Sequence, residues 1–311
     1  MRPLASAALL AIGCIAAPGS GAGVDTGESA ASLPQVRSGR SHTCALDPDG
    51  EPWCWGEGSA PPDPSLNVPN FDYGQGRLPA GPRAALEVGA DHTCWLDGDG
   101  ALGCVGGDPG LRGLPSGTGW VGLSVGGWHG CVWRDDGAPT CWGNPNGDDP
   151  RAGFDLTAPP AGPYTAMDGG GWHHCGLGAD GALACWGYAE DGALAAPAGP
   201  WLQVSAGARQ TCALDLAGAV WCWGRARGAP PAGSFVQVTA GEDHACALSA
   251  AGVATCWGNP DDGRTSPPPE RFAHLSAGWS HTCGVTVEGA IRCWGASDFG
   301  QADVPADVAA W

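Results

Sequence analysis

Seven cysteine pairs with one fixed internal spacing constrain this chain more than any other feature. The first members are Cys44, Cys94, Cys131, Cys175, Cys212, Cys246 and Cys283, and the second, always ten residues on, are Cys54, Cys104, Cys141, Cys185, Cys222, Cys256 and Cys293. A spacing kept through seven copies means one small unit repeated, and the fold must be an array of that unit. Six residues after each first cysteine stands a glycine: Gly50, Gly100, Gly137, Gly181, Gly218, Gly252 or Gly289. That is the left-handed position closing a three-residue loop, a type I turn followed by a glycine bulge, between two antiparallel strands. The cysteines then face each other across a β-hairpin, close enough for a disulfide if the pair takes the non-hydrogen-bonded register. Zinc would want closely spaced ligand pairs gathered four together, whereas these pairs are scattered evenly along the chain.

An entry strand precedes each hairpin, as in Leu33-Pro34-Gln35-Val36, Trp201-Leu202-Gln203-Val204, Phe235-Val236-Gln237-Val238 and Phe272-Ala273-His274-Leu275. It ends at a glycine five residues before the first cysteine: Gly39, Gly89, Gly126, Gly170, Gly207, Gly241 or Gly278. First cysteines are 50, 37, 44, 37, 34 and 37 residues apart, a period that suits one small antiparallel sheet per repeat in a propeller or a solenoid. The 54 glycines and 28 prolines among 311 residues supply the turns, and an apolar fraction of 43% is enough for a sizeable core. Two connections after hairpins are long, about Glu57 to Pro82 and Asn144 to Pro163; such loops either carry function or are tolerated decoration. All 14 basic residues are arginine, against 32 acidic ones, for a formal charge of -18. A surface of that sign repels phosphate backbones, so nucleic acid is not an expected partner.

The N-terminus reads as a targeting segment. Arg2 precedes a short apolar run, Pro3 to Ile12, too short to span a bilayer as a helix. Residues 1–13 read as a signal peptide and 14–32 as a flexible tether rich in small and polar residues. Two processing routes compete: Ala11-Ile12-Gly13-Cys14 resembles a lipobox, and Ile15-Ala16-Ala17 offers small residues to ordinary signal peptidase. Cys14 is the fifteenth cysteine, left over once fourteen pair. A lipid on Cys14 would account for it, and so would removal. The expected location is the bacterial cell envelope or the medium, with membrane contact only through that lipid.

The pattern Ser-Ala-Gly-x-x-His-Thr-Cys-x-Leu, then Asp-Gly, then Cys-Trp-Gly, then Phe299-Gly300-Gln301 and a proline, resembles the repeat of the regulator of chromosome condensation (RCC1) family. Its short, cysteine-paired form is similar to repeats of exported bacterial proteins. The resemblance covers residues 33–311 and implies an all-β fold: a seven-bladed β-propeller of RCC1-like repeats, one disulfide per blade, closed by contact between first and last blades. Val105 stands where other copies have Trp, and Gln210 where others have His. The family's founding activity, nucleotide exchange on a nuclear GTPase, needs an intracellular chain and is not expected here. Some exported relatives inhibit β-lactamases by capping them with one propeller face; nothing in these loops identifies such a target.

Repeated residues have an architectural reading. Trp55, Trp142, Trp186, Trp223, Trp257 and Trp294 follow the second cysteine and are expected to pack between blades. His42, His92, His129, His173, His244 and His281 lie two residues before the first cysteine, spread one per blade with no fixed acidic partner. A turn-stabilising hydrogen bond suits them better than catalysis or metal binding. His174 and His274 fall outside that register.

Specific function is sought in what varies. Between each glycine and the histidine position lie Arg40, Asp91, Trp128, Trp172, Arg209, Glu242, Asp243 and Trp279. The resemblance implies that these loops look toward one face. Tryptophan with arginine is the composition of a protein-binding hot spot; the alternative is that each Trp covers a blade edge locally. Asn144 to Asp149 and Asn259 to Gly263 offer oxygen ligands, but in ordinary turn sequences without EF-hand spacing. No catalytic set, metal cluster or cofactor motif stands out. The expectation is a monomeric, non-catalytic scaffold holding an unidentified protein or envelope polymer; a structural or display protein, or a propeller hydrolase or lyase, are the alternatives.

Overall fold

The computed structural model describes residues 33–59, 73–146, 153–189, 191–309 and 311. The expected signal segment, the tether with Cys14, and parts of both long connections lie outside the described residues. Seven three-stranded antiparallel sheets make up the fold, each from consecutive strands. In the first blade the inner, middle and outer strands are Gln35–Ser38, His42–Leu46 and Pro52–Gly56. In the last they are Phe272–Ala277, His281–Thr286 and Ile291–Gly295. Inner strands touch successively around the ring, and the first touches the last. The chain is a seven-bladed β-propeller, with three strands per blade.

Local chemistry makes each hairpin. In blade 1 the Gly50 N–H donates to the Asp47 carbonyl and the Asp47 N–H to the Glu51 carbonyl, both at 3.0 Å. The seven turn glycines have φ between +70° and +92°, where a side chain would be strained. Counting back from the turn puts each cysteine opposite its partner in the register Cys44↔Cys54 through Cys283↔Cys293. Cα separations of 4.0 to 4.1 Å are those of the close, non-hydrogen-bonded pair, and all seven disulfides form. Each closes a short loop worth about 2–3 kcal/mol in the chain-entropy model.

Every middle-strand residue except Asp215 is buried, with none of the usual alternation. The cause is the ring: each sheet is covered on both faces by its neighbours, so both sides of its middle strand are interior. The first and last blades pack the same way without a covalent bond between them. Val36, Ala45 and Trp55 meet Cys283, Val285 and Ile291, with Val308 from the C-terminal segment beside them.

The inner strands end at the seven glycines expected from the sequence, and these meet around the axis. A Cβ built on Gly39, Gly89, Gly126, Gly170, Gly207, Gly241 or Gly278 would lie at or inside 2.5 Å of the next blade's glycine carbonyl oxygen, the last closing onto Gly39. No side chain fits in that contact. Hydrogen bonds lock it: Trp279 N–H to the Gly39 carbonyl at 3.1 Å, Gly127 to Gly170 at 3.0 Å, Gly171 to Gly207 at 3.1 Å and Ala208 to Gly241 at 3.2 Å. Replacing Gly207 with alanine should therefore cost about 1–3 kcal/mol in thermal or denaturant unfolding through overpacking. Gly153→Ala, where nothing lies within 4 Å, should change stability little.

Candidate functional site

The residues following the ring glycines surround the mouth of the central channel. Trp279 comes directly after Gly278 and lines that mouth. Trp128 and Trp172 come one position later, after Gly127 and Gly171, whose lack of side chains lets the loops crowd: a Cβ on Gly127 would sit 2.6 Å from the Gly171 carbonyl oxygen. The three indoles, from blades 3, 4 and 7, meet one another. Ring centroids are 4.7 Å apart for Trp128 and Trp172, 5.6 Å for Trp172 and Trp279, and 6.0 Å for Trp128 and Trp279. All three are half-buried. They form one cluster across the channel mouth, so the edge-cover reading does not describe them.

Charged groups are arranged around this cluster. The Arg40 guanidinium lies over Trp279 at 5.5 Å and pairs with Asp91 at 3.6 Å. Arg209 lies over Trp172 at 4.6 Å and pairs with Asp191 at 3.6 Å, which Arg225 also approaches at 3.8 Å. Burial pushes the Asp91 carboxyl up, and the Arg40 charge opposes the shift. Asp243 is committed to Arg264 at 2.8 Å and to the Asn259 amide at 2.7 Å. Glu242 is exposed, and its N–H donates to the Trp279 carbonyl at 3.0 Å. Asp191, Arg225 and Arg264 were not foreseen from the sequence. They come from the connections after the outer strands, whose lengths vary, so nothing local aligns them with the glycine loops. Tyr188 was missed for the same reason; its N–H donates to the Trp172 carbonyl at 2.8 Å, and its ring stands 5.5 Å from Phe154.

Beneath this face the histidines do something different from the turn bond expected of them. Except in His92, the Nε2 reaches the next blade, to the residue just before its first cysteine: His42 to Thr93 at 2.8 Å, His173 to Thr211 at 2.8 Å, His244 to Thr282 at 2.8 Å and His281 to Thr43 at 2.7 Å. The Thr43 hydroxyl donates to the Gln301 carbonyl at 2.8 Å, so it accepts from His281 and fixes the Nε2–H tautomer. Trp55 Nε1 donates to the same carbonyl at 2.9 Å, and Thr211 and Trp223 likewise share the Ala193 carbonyl. The repeated tryptophans therefore pack between blades and also anchor the connecting loops.

Exceptions to the repeat follow from this joint. Blade 6 has Ala245 in place of threonine, and blade 5 correspondingly has Gln210 in place of histidine. The Gln210 amide instead donates to the Gly241 and His244 carbonyls at 3.2 and 2.8 Å. Blade 4 carries His174 at the threonine position, where it takes the His129 bond at 3.0 Å and passes one to Ser124 at 2.9 Å. Blade 3 carries Gly130 there, and the buried His92 Nε2 is left without a partner. Ser124, His174 and His129 have the composition of a nucleophile and its bases, yet their exposures are 2%, 0% and 0%, which seals them from any substrate. Among the described residues no three His, Cys, Asp or Glu side chains gather as a metal site. In the Asn259 to Gly263 turn, Asp262 is bound to Arg264 at 2.6 Å and the Asn259 amide oxygen accepts from the Asp261 N–H. Gly147, Asp148 and Asp149 of the other turn lie outside the described residues.

The model of the regulator of chromosome condensation (RCC1) repeat matches residues 235–264 and 272–301, which are blades 6 and 7 of this ring. Two of the seven blades match the RCC1 repeat. No curated protein matches it. Among solved structures, the ectodomain of the receptor kinase CR4 from Physcomitrella patens is 24% identical, with a TM-score of 0.67, over 85% of this chain and 73% of that one. The ectodomain of the receptor kinase ACR4 from Arabidopsis thaliana is 22% identical, with a TM-score of 0.64, over 85% and 96%. Human WBSCR16 is 16% identical, with a TM-score of 0.63, over 83% and 88%. At these identities the likeness is one of fold.

Two predictions concern this inter-blade joint. Gln210→His should place an imidazole against a methyl group and lose two backbone bonds, costing about 1–3 kcal/mol in denaturant unfolding. Adding Ala245→Thr to that variant should recover most of the loss, because a hydroxyl then receives the Nε2–H. The second concerns pH. Burial lowers every histidine from its ordinary 6.5, to about 3 for His42, His129, His274 and His281, to about 4 for His92, His173 and His244, and well below 6.5 for His174. Between those values only the unfolded chain binds the protons, so stability should be complete above pH 6.5 and fall as pH drops toward 4. Asp168, raised by burial from 3.8 to about 7, acts oppositely, losing its contribution as pH rises through that window. Asp91, also raised by burial, acts with Asp168; eight groups against two set the sign, which unfolding midpoints measured across the range will check.

Proposed function

We propose that this chain is an exported, non-catalytic scaffold that holds a protein partner against the tryptophan face of its propeller. The observation that carries the reading is the meeting of Trp128, Trp172 and Trp279 over the channel mouth while part of each remains in contact with solvent. Indoles from three blades are not needed to hold any one blade together, and clustered aromatic rings rimmed by arginines are the pattern of a binding hot spot. Seven disulfides suit an oxidising compartment, in keeping with a signal segment at residues 1–13. A lipid on Cys14 would tether the ring to a membrane through residues 14–32. His42, His129, His173, His174, His244 and His281 are buried and bonded across blades, which favours a binding role over a hydrolytic one.

Affinity capture from the envelope and medium of the producing cell, with the wild-type chain and with Trp128→Ala/Trp172→Ala/Trp279→Ala, tests the reading. Both proteins must show seven intact disulfides by mass under non-reducing conditions. A partner kept by the wild type and lost by the triple variant is the expected result. Equal recovery by both would remove the tryptophan face from the function.

A further inference from the structure

We propose that the partner is engaged through a cationic loop, an arginine or lysine beside an apolar side chain, with the cation held by the tryptophan cluster and Glu242. This deepens the scaffold reading and rests on it. The molecule itself shows that these indoles accept cations, since guanidinium groups already cover Trp172 and Trp279. Among the described residues none covers Trp128, the third ring of the cluster, which is half-buried and keeps part of its surface toward solvent.

Charge complementarity points the same way. Four arginines of the rim are balanced by four acids: Arg40 faces Asp91, Arg209 and Arg225 share Asp191, and Arg264 binds Asp243 and Asp262. Glu242 differs. It is exposed, its carboxylate has no partner among the described residues, and its backbone is bonded to Trp279. An incoming cation meets an aromatic surface and an unspent carboxylate, whereas an incoming carboxylate meets arginines that are already neutralised. The formal charge of -18, with no lysine in the chain, adds a long-range attraction for a basic partner and repels an acidic one. The apolar neighbour of the cation is needed because the cluster offers three large rings but few donors.

A displayed library of random disulfide-closed loops, selected on the intact wild-type chain, supplies the probe without a known partner. Loops enriched in arginine or lysine next to an apolar residue are expected. Their affinity should fall about tenfold or more with Trp128→Ala and roughly three- to fivefold with Glu242→Gln, and should weaken as salt is raised. Enrichment of neutral or acidic loops that still depend on the three tryptophans would overturn the cationic partner and leave the scaffold reading standing. Loops that bind the triple tryptophan variant equally well, or failure to recover any binder, would overturn both.

Discussion

The contact on which the rest of the propeller depends is glycine against carbonyl at the ring centre. Each blade brings one inner-strand glycine so close to the next blade's backbone that even a methyl group would collide. Seven such contacts in series fix the spacing of the inner strands, and the seventh closes Gly278 onto Gly39. The two ends of the described ring are joined by the same kind of contact as any other neighbouring pair, without a shared strand. Because backbone meets backbone there, the residues just after each glycine are pushed out to one end of the channel, where they are free to differ. The tryptophan face is a by-product of how the ring is packed.

Outside that inner circle a second set of bonds holds blade to blade. A buried imidazole reaches a hydroxyl, the hydroxyl reaches a loop carbonyl, and an indole N–H reaches the same carbonyl. Every group in the chain is desolvated, so each must find its partner or cost free energy. The compensation is visible within one molecule: where the hydroxyl is missing in blade 6, the imidazole of blade 5 is missing too, and glutamine serves instead. Where only one member changes, as at Gly130, a buried nitrogen is left without a partner. Disulfides do different work. A three-stranded sheet has little core of its own, and the cross-strand bond holds the hairpin in register before its neighbours cover it.

The two ends of the ring have different chemistry. The hairpin turns carry exposed acids, among them Asp49, Asp99, Asp135, Asp136, Asp180 and Glu288. At the other end the charges are largely paired and aromatic side chains dominate. A propeller with one acidic end and one aromatic end is biased in how it meets another protein, since water and counter-ions hold to the first while the second gains by being covered.

The sequence by itself determined the hairpins, the disulfide pairing and the number of repeats, because each rests on local geometry repeated seven times: a left-handed glycine at the turn and cysteines equidistant from it. It placed the seven ring glycines at the ends of the entry strands, but their contact with the next blade's backbone is tertiary. It also marked Arg40, Asp91, Trp128, Trp172, Arg209, Glu242, Asp243 and Trp279 as lying beside those glycines, where the repeat imposes nothing. What the tertiary structure decided is which of them meet. Trp128 and Trp279 are far apart in sequence and four blades apart in order, yet they touch because ring closure makes the channel mouth narrow. His174 looked unregistered, but it stands at the hydroxyl position of an inter-blade joint, a relation that exists only between neighbouring sheets. Asp191, Arg225 and Arg264 belong to connections of unequal length, whose position over the face is set by where the blade ends point. Contacts within a hairpin repeat with the sequence; contacts across the axis depend on closure, which no single repeat contains.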